Sequence, residues 1–527
     1  MRTKLKERLR EITGRPTISA VSTRGNLDHY AAEFGETAKA FRAFAHQWRP
    51  PAATNQGQIT GVVVTPWVST PVPWYSLALA MGLAQRGRRV QIIWDDSCFP
   101  EVVDQLEAQN YAIHEVLEAL NSQLPYAPLS AFQGELGRPE DWRRLQELAE
   151  HNTTWTLRAA VRPTPDRALF ESYLANLSRA LPRVRGLLRQ QRFAYLLVPG
   201  GIRGTSGLYR WVGEEAGTRV ATYDANLGVV QVATEGVAAQ QSDLPRAFQI
   251  FLSSQVEESE RQNAIAEAQR HLDLRIEGRD RARYQSVPPM ADGQAADIDV
   301  LIPLNVEHDA AALGRHRLFE DTVEWVTATT AHILEQPEGT IAIRQHPAER
   351  HPHERGQFGL ERILDERFGQ NPRLTFIPAA APINTYDLVA RARLILPFVS
   401  TIGIEAVALG KPTVVAGNSC YSDLGFVWRP DTRQEYLELV SRGLRGELAV
   451  SSEQRERAWL CYYLTPVCNR IWTRFTPQPP DFWTWCSQKP TDVFADEAVQ
   501  DILTAVDEDV PAAIIRHQRH MRGQIAL

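Results

Sequence analysis

The sequence predicts an α/β protein with two Rossmann-like parallel-sheet domains that face a cleft. Short apolar strand patterns alternate with helical patterns along most of the chain, which is the signature of βαβ units. The alternation stops at the segment PPMADGQAAD and then starts again. The chain has 527 residues, more than a single hydrophobic core usually supports. We therefore expect two large domains.

The first half begins with an N-terminal helical arm, residues 1–57, which ends in the linker WRPPAATNQGQ. An N-terminal Rossmann-like domain, residues 58–285, is predicted to follow. Its strands are ITGVVVTP, RVQIIWDD, FAYLLVPGG and TRVATYD, and its first helix, WYSLALAMGLAQRG, closes at Gly87. Residues 137–192 are predicted to be mostly helical, and residues 246–285 to form one long polar helix.

The second half repeats the alternation, which predicts a C-terminal Rossmann-like domain over residues 286–455. Its predicted strands are IDVLIPL, TIAIRQ, RLTFIP, LILPFV and TVVAG, with helices over 319–336, 356–369 and the segment TIGIEAVALG. The tail, residues 456–527, is rich in Trp, Tyr and Phe. We expect it to be helical and to pack back across both domains.

Composition excludes several classes of protein. The net charge of -6 argues against a generic nucleic-acid binder, and 43% hydrophobic residues is ordinary for a soluble enzyme. The five cysteines form no C-x-x-C pair, so neither a disulfide framework nor a zinc site is expected. The start MRTKLKERLREITGRP has no apolar core, and no stretch has the length and apolarity of a membrane span. These features predict a cytoplasmic protein with no bound metal.

The strand TIAIRQ runs directly into charged residues. Because strand side chains alternate between faces, Arg344 and His346 are predicted to lie together at the carboxyl end of a parallel strand, where open α/β sheets bind ligands. A guanidinium suits phosphate, and an imidazole can donate to phosphate or ribose oxygens. Pro347 ends the strand where no ladder donor is needed. On these residues alone, a solvated surface loop is the better interpretation.

A second strand, LILPFV, leads into a helix start that could bind an anion. Ser400 and Thr401 open the helix, and Gly403 removes a side chain from its first turn. Free N–H groups and hydroxyls at a helix N-terminus favour phosphate, and Glu405 could bind ribose hydroxyls. Helix capping by Ser400 and close packing at Gly403 explain the segment about equally well.

These stretches resemble the GT-B glycosyltransferases of bacterial capsule and surface-polysaccharide synthesis, including the capsular Kdo transferases. The matching segments are PLNVEHDAAALG, IRQHPAER, NTYDLVARARLILPFVSTIGIEAVALGKPTVV and GNSCYSDLGF, with weaker matches over residues 58–440 as a whole. The His-Pro and Ser-Thr pairs also resemble the two donor motifs of bacterial sialyltransferases. The resemblance implies that His346 and Pro347 meet the nucleotide and that Ser400 and Thr401 meet its phosphate.

One departure leaves the stereochemistry of transfer open. Many retaining GT-B enzymes carry two glutamates eight positions apart around an EA…G.P pattern. Glu405 matches the second glutamate, but Pro397 stands in the place of the first. This argues against that subgroup of retaining enzymes.

GT-B enzymes bind the acceptor on the N-terminal domain, so the resemblance makes residues 58–285 the acceptor domain and 286–455 the nucleotide-sugar domain. Trp67, Trp74 and Tyr75 follow the first strand and could stack on sugar rings, although packing against the arm is about as probable. The catalytic base is predicted among acidic residues at strand ends: Asp95, Asp96, Asp224 and Glu235. Glu235 is favoured, because its Glu-Gly pair resembles the base motif of the sialyltransferases, with Asp224 beside it as the other catalytic candidate. The segment GGIRGTSG is expected to be a flexible cleft loop.

The sequence therefore predicts a metal-independent glycosyltransferase that uses a nucleotide sugar, such as CMP-Kdo or a related CMP-sugar, and a glycan or glycolipid acceptor. A basic amphipathic helix within residues 1–15 predicts peripheral contact with the inner membrane, although a helix docked on the protein body explains the pattern better. A sugar-nucleotide epimerase of the same double-Rossmann shape, or an inactive scaffold of this fold, are the alternatives.

Overall fold

The computed structural model describes residues 24–54, 58–65, 67, 72–97, 103–158, 166–226, 228–254, 257–281, 285, 287–289, 298–351, 355–356, 359–473 and 489–525. The side chains of residues 24–34, 103–111 and 226 are not described. The predicted membrane-contacting segment, residues 1–15, lies outside the described residues.

Helices and strands alternate as predicted. The helices are α1 (Arg24–Gln47), α2 (Val72–Gln85), α3 (Val103–Leu120), α4 (Asp141–Leu157), α5 (Arg167–Gln190), α6 (Gly204–Glu215), α7 (Leu244–Ser253), α8 (Glu258–Ile276), α9 (Thr322–Leu334), α10 (Leu360–Phe368), α11 (Thr385–Arg391), α12 (Ile402–Ala408), α13 (Arg433–Leu444), α14 (Ser452–Tyr462), α15 (Pro490–Phe494), α16 (Glu497–Glu508) and α17 (Ala512–Met521). The strands are β1 (Ile59–Val64), β2 (Arg89–Trp94), β3 (Tyr126–Pro128), β4 (Phe193–Pro199), β5 (Arg219–Asn226), β6 (Val229–Ala233), β7 (Ile298–Pro303), β8 (Ile341–Arg344), β9 (Leu374–Ile377), β10 (Ala392–Ile395) and β11 (Ile471–Trp472).

A seven-stranded sheet has the order β11-β6-β5-β4-β1-β2-β3. Strands β1 to β5 pair in parallel, whereas β6 and β11 add antiparallel pairs at one edge. From β1 the chain adds β2 and β3 on one side and β4 and β5 on the other. The strand order therefore reverses between β1 and β4, which makes their carboxyl ends a topological switch point.

A four-stranded, all-parallel sheet has the order β10-β7-β8-β9. Its switch point lies between β7 and β10. The predicted strand TVVAG is wrong, since Thr413 and Val414 form only isolated bridges to Ile395 and Trp428. The two parallel sheets with flanking helices confirm the predicted α/β class.

The chain forms two compact units that are not contiguous in sequence. The first unit comprises residues 1–153, 166–243 and 469–526, and the second comprises residues 154–165, 244–468 and 527. These limits do not coincide with the predicted domain boundaries after residues 57, 285 and 455. The physical reason is that packing assigns each helix: α8 packs against α14 in the second unit, and α16 packs against α2 in the first.

Each unit has its own apolar core. In the first, Phe41, Phe44 and Trp48 on and after α1 are at most 1% exposed and pack in the core around β1, so the second half of the predicted arm is part of the unit. In the second, Trp325 on α9 donates a hydrogen bond from Nε1 to the Tyr436 hydroxyl on α13 at 2.9 Å. The predicted single helix over 246–285 is wrong: α7 and α8 are separate helices.

Candidate functional site

Three of the predicted donor-binding segments lie at the carboxyl ends of neighbouring strands of the second sheet. Arg344 is the last residue of β8, and His346 and Pro347 begin the short 3-10 turn Pro347–Arg350 directly after it. Ser400 and Thr401 lie between β10 and α12. Since the order is β10-β7-β8, these segments flank the end of β7 from both sides.

His346 is held as a neutral imidazole. Its Nδ1 accepts a hydrogen bond from the Ala348 N–H at 3.2 Å, so the ring proton resides on Nε2. Burial lowers the pKa of His346 to about 4, with further lowering by the positive charges of Arg275 and Arg344. The side chain therefore presents a fixed Nε2–H donor at neutral pH.

Arg344 has a structural role that the sequence did not indicate. It is 3% exposed and donates hydrogen bonds to the carbonyl oxygens of Pro378 and Ile383, the latter at 3.3 Å. Burial, with the nearby charge of Arg350, lowers the pKa of Arg344 to about 10. The expectation that Arg344 leaves the fold unaffected is corrected, because its guanidinium anchors the loop after β9.

Ser400 and Thr401 are half-buried at the start of α12. The Ser400 Oγ is 3.5 Å from the Ile402 N–H, a long hydrogen bond, and the Thr401 hydroxyl donates to Glu405 Oε1 at 3.4 Å. Both hydroxyls thus make only weak bonds within the fold. They are suited to rotate toward a phosphate.

Gly403 is required for packing. A Cβ atom at this position would collide with the Tyr421 hydroxyl and lie 3.1 Å from Pro397 Cγ. The Tyr421 hydroxyl itself donates to the Ser400 carbonyl at 2.6 Å. The interpretation that Gly403 clears space for a phosphate is therefore corrected: the space is filled by Tyr421, which fixes the position of Ser400.

Glu405 belongs to a buried polar cluster. It is 2% exposed, accepts a hydrogen bond from the Tyr386 hydroxyl at 2.8 Å and lies 3.4 Å from Arg275 Nη1. Burial alone would lower the pKa of Arg275, but the charges of Glu405 and neighbouring acidic groups raise it well above its usual value. Glu405 is thus engaged inside the protein, which corrects its predicted contact with ribose.

Arg275 is the residue that sequence reasoning missed. It lies on α8, which was predicted to belong to the other domain. A signal was present, because the buried residues of α8 are Ala264, Ala268, Leu272 and Arg275, at helical spacing along one stripe. An arginine in line with an apolar stripe indicates a buried cation that needs an acidic partner.

In the first unit, two of the three predicted acceptor-stacking residues are buried. Trp74 is 2% exposed and Tyr75 is 0% exposed, both in the core. They offer no ring face to a sugar, which corrects that prediction, because α2 is buried over nearly its whole length. Trp67 is partly exposed and remains a candidate.

The predicted bases have different surroundings. Asp224 is partly exposed on β5, and burial raises its pKa against the opposing effects of the Arg203 charge and the Ala225 N–H. Glu235 is exposed in the bend after β6. It lies near Asp243, a residue not predicted, which is 2% exposed and whose pKa burial raises to about 7. The Thr234 N–H donates to Asp243 at 3.1 Å.

The segment GGIRGTSG is held by hydrogen bonds, so the expectation of a flexible loop is corrected. The Gly200 N–H donates to the Tyr223 carbonyl at 2.8 Å, the Gly204 N–H donates to Asn152 Oδ1 at 2.7 Å, and Arg210 donates to the Gly201 carbonyl at 2.7 Å. Gly200 and Gly201 both have positive φ, 66° and 80°, which permits the tight turn out of β4.

Across the residues that the structure describes, no group of three His, Cys, Asp or Glu side chains could hold a metal ion. Within the same residues, no helix is long and apolar enough to cross a membrane.

Comparison with known proteins places the second-unit site within a recognised family segment. Residues 231–438 match the family described as "Capsule polysaccharide biosynthesis protein". A curated relative, Protein FixF of Sinorhizobium fredii, is 26% identical over 130 residues, 25% of this chain. The matched region spans 29% of the length of that relative, so its activity as a whole protein does not transfer directly.

Several solved structures share a low level of similarity. Thermosulfurimonas dismutans KpsC, described as a beta Kdo 2,4 transferase, is 15% identical with a TM-score of 0.35, over 51% of this chain and 79% of that one. Acinetobacter baumannii MurG is 12% identical with a TM-score of 0.29, over 86% of this chain and 99% of that one. Similarity at this level carries no argument about function.

The family match includes Arg275, His346, Glu405 and the Ser400–Thr401 pair, that is, the whole buried cluster and the helix start beside it. Over residues 231–438 the chain is therefore similar to the capsule polysaccharide biosynthesis proteins, which confirms the resemblance predicted from its motifs.

Proposed function

We propose that this protein is a glycosyltransferase that moves a sugar from a nucleotide sugar to a glycan or glycolipid acceptor in bacterial capsule or surface-polysaccharide synthesis. One observation carries the proposal: the segment that matches the capsule family holds a neutral histidine and a pair of hydroxyls at the ends of strands that flank a switch point. Ligands of open α/β sheets bind at such points.

The donor is proposed to be a CMP-activated acidic sugar such as CMP-Kdo. A CMP-sugar has one phosphate between nucleoside and sugar. The hydroxyls of Ser400 and Thr401 and the Nε2–H of His346 are donors of the kind that one phosphate requires. Tyr421 supports this arrangement, since its hydrogen bond to the Ser400 carbonyl holds the start of α12 in place.

The sugar carboxylate needs a cation other than those first considered. Arg344 is engaged with two carbonyl groups, and Lys411 donates to the carbonyls of Ala390, at 2.5 Å, and Ala392, at 3.1 Å. Arg391 donates to the Asp387 carbonyl at 3.1 Å. These contacts reduce the support for a carboxylate-binding role of all three side chains.

In the proposed reaction, the acceptor hydroxyl attacks the anomeric carbon of the donor sugar. The bond between that carbon and the phosphate oxygen breaks, and the nucleoside monophosphate leaves with both electrons. Asp224 or Glu235 accepts the acceptor proton. Asp224 is the better supported base, because it lies at the carboxyl end of a central strand beside a cation. The transfer is proposed to require no metal or other cofactor and to occur at the inner face of the cytoplasmic membrane.

The test is nucleotide release from a panel of CMP-, UDP- and GDP-sugars, with and without an oligosaccharide acceptor. We expect CMP release that depends on acceptor and falls in the His346→Ala variant. Conversion of a nucleotide sugar to its isomer without any acceptor would instead identify an epimerase. Absence of binding to every nucleotide would indicate an inactive scaffold.

A competition assay tests the donor separately. We expect CMP to displace a fluorescent CMP-sugar more effectively than UDP or GDP does. If UDP or GDP binds at least as tightly, the CMP-sugar assignment is wrong, whereas the glycosyltransferase proposal remains.

A further inference from the structure

The first unit has its own ligand-binding geometry at the switch point between β1 and β4. The chain leaves β1 through Thr65 and leaves β4 through Gly200 and Gly201 into α6. The glycines allow close approach of the main chain: a Cβ atom on Gly201 would lie 2.6 Å from Thr222 Cγ2, and one on Gly200 would lie 2.6 Å from the Trp67 ring. The crevice outside these strand ends is the expected place for a ligand.

The start of α6 supplies donors to this crevice. Arg203 is the N-cap residue of the 12-residue helix, but its side chain makes no capping hydrogen bond. The first-turn N–H groups of a helix carry partial positive charge and favour anions. The guanidinium of Arg203, which is partly exposed, lies 5.1 Å from the centre of the Trp67 ring and adds a full positive charge.

Two buried hydroxyls at the same place lack partners. Thr65 Oγ1 and Ser206 Oγ belong to residues that are 0% exposed, and neither has a hydrogen-bond partner among the described residues. Their neighbour Thr205, in contrast, donates to the Asp95 carboxylate. Burial of an unpaired hydroxyl costs free energy unless a further group satisfies it. A bound ligand could supply that group.

Two carboxylates face the same region. Asp95 adjoins the end of β1, because its N–H donates to the Val64 carbonyl at 2.9 Å. Its oxygens already accept hydrogen bonds from Thr205 and from Ser97, whose N–H lies at 3.1 Å. Asp224 lies near enough to Arg203 for the guanidinium charge to lower its pKa. The charge of Arg203 therefore offsets that of Asp224, and the anion would be bound beside the candidate base.

We propose that the crevice between β1 and β4 binds the acceptor through an oxyanion, the carboxylate of an acidic sugar or a phosphate, which Arg203, Ser206 and the first turn of α6 hold. This rests on the proposed function, because it assigns the acceptor of that reaction a negative charge. It also moves the acceptor site away from Trp74 and Tyr75 to the glycine-rich segment after β4.

The experiment measures equilibrium binding of three probes by calorimetry or saturation-transfer NMR: methyl glucuronide, glucose 6-phosphate and the uncharged methyl glucoside. We expect at least one charged probe to bind more tightly than methyl glucoside, and the tighter one identifies carboxylate or phosphate. Arg203→Met should weaken the charged probe roughly ten- to a hundredfold and leave the uncharged probe unchanged. The control Arg167→Met, on an 89% exposed side chain of α5, should change neither.

Ser206→Ala provides a second variant that does not depend on the folding of Arg203→Met. Because Ser206 Oγ has no partner among the described residues, its removal should not lower the melting temperature, whereas affinity for the charged probe should fall severalfold. Equal binding of charged and uncharged probes to the wild type, or unchanged affinity in both variants, would overturn the proposal. CMP release that persists in that case would show that only the acceptor inference fails, while loss of all nucleotide binding would count against the proposed function instead.

Discussion

Replacement of Arg275 by methionine would remove the cation from the buried cluster around Glu405. Methionine has a similar length and keeps most of the apolar contact of the arginine stem. The change leaves the Glu405 carboxylate 2% exposed with the Tyr386 hydroxyl and the Thr401 hydroxyl as its remaining partners. We expect strong destabilisation of the second unit and a displaced helix start at Ser400.

The structure allows the size of the effect to be worked out. At the 3.4 Å separation of Arg275 Nη1 and Glu405 Oε1, the Coulomb attraction is about 5 kcal/mol for an effective dielectric constant of ~20. Removal of one partner from a buried pair typically costs about 3–5 kcal/mol, because the other charge stays buried without compensation. The two hydrogen bonds to Glu405 offset part of this, so a loss near about 3 kcal/mol is expected.

The assay combines urea denaturation with hydrogen exchange of peptides from α8, which reports on the second unit. The matched control is Arg362→Met on α10, whose pair with Glu366 has nearly the same separation, 3.5 Å, but side chains 76% and 62% exposed. An exposed pair is worth about 0–1 kcal/mol, so this control should be almost neutral.

The double variant Arg275→Met with Glu405→Gln completes the comparison. It removes both charges, so it should recover a large part of the lost stability. A cost below about 1 kcal/mol for Arg275→Met, or a double variant no more stable than the single one, would refute the argument that an uncompensated buried carboxylate is the cause.

The remaining predictions concern the helix start and the histidine. Gly403→Ala should cost about 1–3 kcal/mol in thermal denaturation because its Cβ collides with the Tyr421 hydroxyl, and adding Tyr421→Phe should recover part of it; no recovery would contradict the packing role. Ser400→Ala should weaken CMP binding roughly tenfold or more and leave cytidine binding unchanged, and an equal loss for cytidine would argue against a phosphate contact. The pKa of His346 is lowered from 6.5 to about 4, so the folded state binds fewer protons than the unfolded state in that window; the stability it contributes above pH 6.5 should be lost as the pH falls toward 4. His346→Gln should show a shallower loss between pH 6.5 and 4.5, and an identical slope would count against this pKa.

The sequence predicted which segments form most of the strands and where functional groups follow them. The apolar runs ITGVVV, RVQIIW and IDVLIP lie in strands, and the positions of His346 and Ser400 after β8 and β10 follow from local pattern alone. Such features are readable because side-chain periodicity and chain order are local properties, and parallel strands bring their carboxyl ends to one edge of a sheet.

Only the tertiary structure decided which groups these residues meet. Arg275 is 130 positions from Glu405, and Tyr421 fills the space beside Gly403 from the far side of a helix. The composition of the two units, the burial of Trp74 and Tyr75 in the core, and the unpaired hydroxyls of the first crevice likewise depend on long-range packing. The physical reason is that a buried charge or a close contact is satisfied by whichever element the fold places beside it, and the spacing of residues along one segment holds no information about that partner.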